Sequence, residues 1–179
     1  MKKVIGLDIS SSVIGYGIIE FDESTISLVK YGHIKPPSSD KGSLAYRGLE
    51  ASKDVRDLLK KESPDAVAVE MYANRFSAGR SSARTIIVLS FFNELMSLTC
   101  LDSIGIETDR YTVANIRSTI SKYLKNKSIS KDQIFEVIKL TFPNFKPRIN
   151  KNGNIGTESF DQADAIAVAF CHAIVNQKK

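Results

Sequence analysis

Residues 4–9, Val-Ile-Gly-Leu-Asp-Ile, carry a single polar side chain, Asp8. A short run apolar on both alternating faces predicts a strand buried on both sides. Ser10, Ser11 and Ser12 supply a turn, and residues 13–21 return as a second strand, with Gly15 and Gly17 where another backbone must approach closely. Residues 26–34 read as a third strand, closed by Pro36 and Pro37. From 43 to 62 the period changes: Leu44, Leu49, Val55, Leu58 and Leu59 form one helical stripe, which Pro64 stops. Residues 65–71 are a short buried strand near whose end stands Glu70, and 73–82 are a polar, basic loop. Residues 82–101 form a strongly apolar helix and 106–113 a strand. Helices are expected over 114–123 and 130–141 around a basic link, then a loop over 142–156 and a last helix over 159–176.

Three meandering strands followed by strand–helix alternation predict one α/β domain over residues 1–179. Its core would be a mixed five-stranded sheet, three antiparallel strands then two parallel, flanked by helices on both faces. No internal repeat or domain boundary interrupts this order.

Composition narrows the class. Hydrophobic residues make up 42% of 179, enough for a packed core. No uninterrupted apolar run approaches the roughly 18 residues needed to span a bilayer, and Met1-Lys2-Lys3 leads into a strand rather than a signal segment. The expectation is a soluble protein of the cytoplasm or another reducing compartment, with no membrane partner. Cys100 and Cys171 lie in apolar surroundings without metal spacing and read as buried free thiols. The net charge of +5 is compatible with nucleic acid, and Lys and Arg gather in the loops.

Acids stand where packing alone would not put them. Asp8 lies inside the first apolar strand, Glu70 ends another, and Asp161 and Asp164 open the last helix. A buried carboxylate needs a partner, and no Lys or Arg adjoins Asp8 or Glu70 within its own strand. A shared divalent cation is the simplest common partner. Ser159 and Gln162 fit a capping box that would place Asp161 in the first turn. Asp161 and Asp164, three apart, share a helix face at the positive end of the dipole. Oxygen ligands without His or Cys suit Mg²⁺, with Mn²⁺ as a substitute, and two such ions can drive phosphodiester hydrolysis. The bland alternative, surface acids plus one capping Asp, is strongest for Asp161 alone and weakest for Asp8, whose neighbours are both apolar.

These residues resemble a known family. Ile5-Gly6-Leu7-Asp8-Ile9-Ser10-Ser11-Ser12-Val13-Ile14-Gly15-Tyr16-Gly17 resembles the opening of the RuvC-type Holliday-junction resolvases, and Ala68-Val69-Glu70 their second acidic strand. Asp161-Gln162-Ala163-Asp164-Ala165-Ile166-Ala167-Val168-Ala169, with His172 downstream, resembles their C-terminal helix. Residues 111–120 look like the segment after the family's last strand, with Arg117 and then Lys131 at basic positions. The resemblance implies an RNase H-like fold, a homodimer, two Mg²⁺ per site and paired nicking of four-way DNA junctions in recombination and repair. Asp8, Glu70, Asp161 and Asp164 would be the catalytic metal ligands, with Arg117 and Lys131 facing phosphates. The chain departs from the family at the first turn, where Ser10-Ser11-Ser12 replaces a glycine. An aromatic that the family carries three residues after the Glu falls at Ala73, with Tyr72 and Phe76 nearest.

Elsewhere, Arg75, Arg80 and Arg84 are candidates for phosphate contact, and Tyr72 or Phe76 for stacking on an unpaired base. The helix over 86–101 is apolar over more than one stripe. Burial within the monomer would account for that, but given the family we favour a dimer seam. The basic segments 122–127 and 146–151 are solvated loops in reach of phosphate if a nuclease site is near. His172 reads as structural, and His33 has no evident role. Among rival classes, a sugar-kinase-like ATPase would need two large lobes, which 179 residues do not supply. A non-catalytic nucleic-acid scaffold would not need all four acids. A nuclease for other branched DNA (flaps, three-way junctions, forks) or for RNA processing shares every feature above.

Overall fold

In a computed structural model, residues 1–71, 83–125 and 128–177 are described. The strands are β1 (Lys2–Ile9), β2 (Ile14–Phe21), β3 (Ile26–Ile34), β4 (Ala66–Glu70) and β5 (Thr108–Tyr111). The helices are α1 (Leu44–Glu62), α2 (Ala83–Ile104), α3 (Val113–Tyr123), α4 (Ile134–Thr141) and α5 (Glu158–Gln177). A 3₁₀ turn, Lys131–Gln133, precedes α4. The sheet order is β3-β2-β1-β4-β5, with β1–β2 and β2–β3 antiparallel and β1–β4 and β4–β5 parallel. This is the mixed sheet that the chain order predicts.

Alternation along β1 sorts its side chains between two cores. Ile5, Leu7 and Ile9 join Ala51, Val55 and Leu59 of α1 and Phe92, Met96 and Cys100 of α2. Val4 joins α5 and the α3–α4 helices on the other face. Ile5, Leu7, Ile14, Ile18 and Ile19 are fully buried, each stabilising the fold by about 1.5–3 kcal/mol relative to exposure.

The second face is built for close approach. A Cβ on Gly6 would lie 2.2 Å from the Ala165 carbonyl oxygen, and one on Gly17 2.7 Å from the Ile166 Cα. The sheet's glycines and the helix's alanines thus let α5 lie almost directly on β1 and β2. That explains why α5 is buried from Ala165 to Ile174.

Several elements depart from the sequence expectation. α5 begins at Glu158, so Ser159 lies inside the helix rather than capping it. Its hydroxyl oxygen accepts the Arg148 N–H at 3.0 Å, and Gln162 turns to His33 instead of closing a capping box. β5 is shorter than expected because Thr112 caps α3, its hydroxyl accepting the Asn115 N–H. The helix expected over 130–141 opens with the 3₁₀ turn.

By length and composition α2 is also long and apolar enough to cross a membrane, although polar residues interrupt its apolar run. Its inner face carries Phe92, Met96 and Cys100 into the core, while Ile87 (65%), Leu98 (61%) and Leu101 (45%) are exposed.

Candidate active site

The parity that sends Ile5 and Leu7 toward α1 and α2 sends Gly6 toward α5, and Asp8 lies on the same side as Gly6. In β4, Val67 and Val69 face α1 and α2 while Ala68 joins the α5 core. Glu70 therefore shares the α5 side with Ala68. The parallel ladder pairs Leu7 with Val69, so Asp8 and Glu70 stand one step further on adjacent strands. Both are partly buried.

Asp8 pairs with Gly15, and Gly15 with His33, while Glu70 pairs with Tyr111. One row across the sheet thus reads His33, Gly15, Asp8, Glu70, Tyr111. The first turn of α5 lies over this row. A Cβ on Gly15 would meet the Asp161 carbonyl oxygen at 2.2 Å. From Asp161 the helix runs on one turn to Asp164, which lines a cavity of ≈ 20 Å³ together with Glu70 and Arg117. Val113, Ile116, Ile134 and Ala167 complete its walls, so the two acids and the arginine sit in a largely apolar frame. The Arg117 Nε–H donates to the Val113 carbonyl at 3.3 Å.

The turn beside Asp8 is braced from two directions. The Ser10 hydroxyl donates to the Val13 carbonyl at 2.7 Å and accepts the Val13 N–H at 3.0 Å. Arg47 of α1 donates to the carbonyls of Ser11 and Pro37. Serine takes the place of the family's turn glycine by supplying its own hydrogen bonds.

Burial pushes the Asp161 carboxyl above the ordinary carboxylate range; its backbone hydrogen bond and nearby His33 oppose that, and Glu158 reinforces it. The sequence shows no role for His33. Its Nδ1 lies 3.0 Å from Gln162 Nε2, tying the end of β3 to α5. Only the strand register, which sets His33 opposite Gly15, reveals it. His172, read from the sequence as structural, is buried, with Nδ1 3.1 Å from the Tyr111 hydroxyl and 3.4 Å from Asp109 Oδ2.

The other predicted residues fall in three groups. Arg84 is exposed in the first turn of α2 and is not among the cavity residues. Lys131 lies in the 3₁₀ turn just before Ile134, a cavity residue. Tyr72, Arg75, Phe76 and Arg80 lie outside the described residues.

Among the described residues, no three His, Cys, Asp or Glu side chains converge closely enough to make a ready metal cage. The donor set nevertheless fits a hard cation. Mg²⁺ retains several waters and takes only one or two carboxylates directly. Glu70 and Asp164 on one cavity supply two, with Asp8 beside Glu70 and Asp161 one turn from Asp164.

The sheet order, with Asp8 and Glu70 toward the ends of adjacent central strands, is that of an RNase H-like fold. The family model "Crossover junction endodeoxyribonuclease RuvC" matches residues 4–172, and the chain belongs to that family. Its relatives include the RuvC of Dehalococcoides mccartyi, 28% identical over 174 residues, covering 95% of this chain and 91% of that one. The RuvC of Thermosipho melanesiensis is 29% identical over 178 residues, covering 96% and 97%. The fold is similar to that of T. thermophilus RuvC in complex with a Holliday junction substrate, with a TM-score of 0.72, 16% identity, and 99% and 96% of the two chains covered. It is also similar to the yeast mitochondrial Holliday junction resolvase Ydc2, with a TM-score of 0.65, 14% identity, and 99% and 80% covered.

Proposed function

We propose that this protein is a divalent-cation-dependent endonuclease that nicks four-way DNA junctions, acting as a homodimer in recombination and repair. The observation that carries the reading is the meeting of Glu70, Asp164 and Arg117 on one cavity, with Asp8 on the neighbouring strand. Membership of a family of crossover junction endodeoxyribonucleases supports the substrate.

Asp8, Glu70, Asp161 and Asp164 would hold Mg²⁺, with Mn²⁺ able to substitute. When bound, such ions lower the pKa of a water and neutralise charge on the phosphoryl and leaving oxygens. The chain's own groups do the rest. The apolar walls limit bulk water around the carboxylates and strengthen their electrostatics. Arg117 presents a permanent cation at the edge of the same cavity, suited to charge developing on the scissile phosphate. Lys131, before Ile134, is assigned the same task.

The exposed Ile87, Leu98 and Leu101 of α2 form an apolar outer face for a twofold seam. Two sites related by that axis would cut two strands of one junction. Arg75, Arg80 and Arg84 are assigned to phosphate contact and Tyr72 or Phe76 to the junction centre.

Cleavage of end-labelled four-way, three-way, flap and linear substrates in Mg²⁺, with cuts mapped on each strand, tests the reading. Paired nicks in the four-way substrate, lost in Asp8→Asn, are expected. Equal cutting of flaps and three-way junctions would favour a broader debranching nuclease. An Asp8→Asn protein that cuts at the wild-type rate would remove the metal-site assignment.

A further inference from the structure

A second concavity adjoins the catalytic cavity. It is a groove of ≈ 380 Å³ lined by Ala114, Arg117, Ser118, Ser121, Lys122, Ser128 and Ile129. Arg117 lines both spaces. Residues 114, 117, 118, 121 and 122 follow the i, i+3, i+4, i+7, i+8 spacing of one helix face, so α3 turns a single side to the groove. Between Arg117 and Lys122 the face carries only the small Ser118, exposed, and Ser121, buried, leaving the wall low between two long cationic side chains. Neither Arg117 nor Lys122 enters a salt bridge among the described residues. Among the described residues, no acidic side chain lines the groove.

We infer that this face of α3 is a binding track for the sugar–phosphate backbone of the cut strand, holding a phosphate next to the scissile one between Lys122 and the Ser118 hydroxyl. The inference rests on the reading of the chain as a junction nuclease and names how its substrate strand is held. Arg117 and Lys122 are five residues apart, about 7.5 Å along the axis, a separation on the scale of successive phosphates in one strand. Cations and hydroxyls without carboxylates select a polyanion. Small side chains between them admit a backbone rather than a flat base. Since Arg117 touches both spaces, a strand lying in the groove delivers its next phosphodiester to Glu70 and Asp164. The track thereby sets which bond is presented for cleavage.

The test uses four-way junctions carrying one methylphosphonate, a neutral phosphate, at successive positions on either side of the cut. Wild-type protein should lose affinity at one flanking position. Lys122→Ala should bind the unmodified junction several-fold more weakly, with a salt slope lower by about one. It should also be indifferent to the methylphosphonate at that same position. Ser118→Glu, an exposed change that should leave folding intact, should weaken binding further by placing a negative charge in the groove. Lys53→Ala, an equal loss of charge on the opposite face of the sheet, is the control and should bind as wild type. If Lys122→Ala and Ser118→Glu keep wild-type affinity and the same methylphosphonate profile while the wild type binds and cuts junctions, the track is wrong and the nuclease reading stands. A wild-type protein that neither binds nor cuts junctions overturns both.

Discussion

Gly15 of β2 faces the Asp161 carbonyl of α5 so closely that a Cβ there would sit 2.2 Å from the oxygen. This contact sets the height of the helix that brings Asp161 and Asp164 over the strand carrying Asp8. Gly15→Ala must therefore lift the first turn of α5 or displace the sheet. Overpacking of this kind costs about 1–3 kcal/mol, lowering Tm by several degrees in a domain of this size. Because the displaced element carries two of the four acids, cleavage should fall more than stability alone explains. Thermal melting and single-turnover cleavage of the same protein check this, and wild-type values for both would refute the packing argument.

Asp161 carries a pH dependence of defined sign. Burial holds its folded-state pKa above the unfolded value, so the folded protein binds the proton more tightly. Stability from this group is greatest at low pH. It declines as pH rises from the unfolded carboxylate pKa through the folded one, and above that the penalty of the buried charge is complete. Asp161→Asn should raise Tm at neutral pH in metal-free buffer, and the gain should vanish below the usual carboxylate range. The same substitution should abolish or severely reduce cleavage. A lower Tm at neutral pH would show that the carboxylate is stabilised by its surroundings instead.

Arg117 and Arg84 should separate chemistry from binding. Arg117 lines the cavity with Glu70 and Asp164, so Arg117→Ala should slow single-turnover cleavage at saturating DNA, on the order of a hundredfold. Lys131→Ala should act in the same direction. Arg84 stands exposed at the start of α2, so Arg84→Ala should chiefly raise Kd and lower the salt slope by about one. Wild-type cleavage by saturated Arg117→Ala would leave that residue a binding group only.

The outer face of α2 predicts its own disruption. Leu98→Glu places a charge on an exposed apolar patch, so the monomer should still fold, with Tm lowered only by what dimerisation contributed. Sedimentation should show loss of the dimer, and junction cutting should change from paired to single nicks. A dimer that survives both Leu98→Glu and Ile87→Glu would move the twofold axis elsewhere.

Both cysteines should be inert. Burial pushes the Cys100 thiol up to about 12 and the Cys171 thiol up to about 11, so almost no thiolate exists at neutral pH. Neither should react with a thiol reagent in the native protein, and both should react once unfolded. Rapid labelling of the native protein would contradict the burial.

The chain order and hydrophobic periods were sufficient for the sheet and its three-plus-two strand arrangement, and they marked four acids as candidates. A carboxylate inside an apolar strand is conspicuous without coordinates. The hydrogen bonding at the start of α5 was not legible, because its polar side chains have more than one possible partner. Ser159 and Gln162 have the spacing of a capping box, yet the backbone of Arg148 and the ring of His33, 11 and 129 residues away from them, take those side chains. Sequence spacing cannot weigh a local hydrogen bond against one that folding brings from a distant segment. For the same reason His33 had no visible role until the β2–β3 register set it opposite Gly15. The joining of Glu70, Asp164 and Arg117 on one cavity likewise depends on α3 and α5 packing over the same strand end. The sequence by itself determined which groups carry charge and which segments must be buried, because these follow from side-chain chemistry and period. Only the tertiary structure decided which of those groups meet, because the distances between them are set by glycine–alanine contacts between helix and sheet.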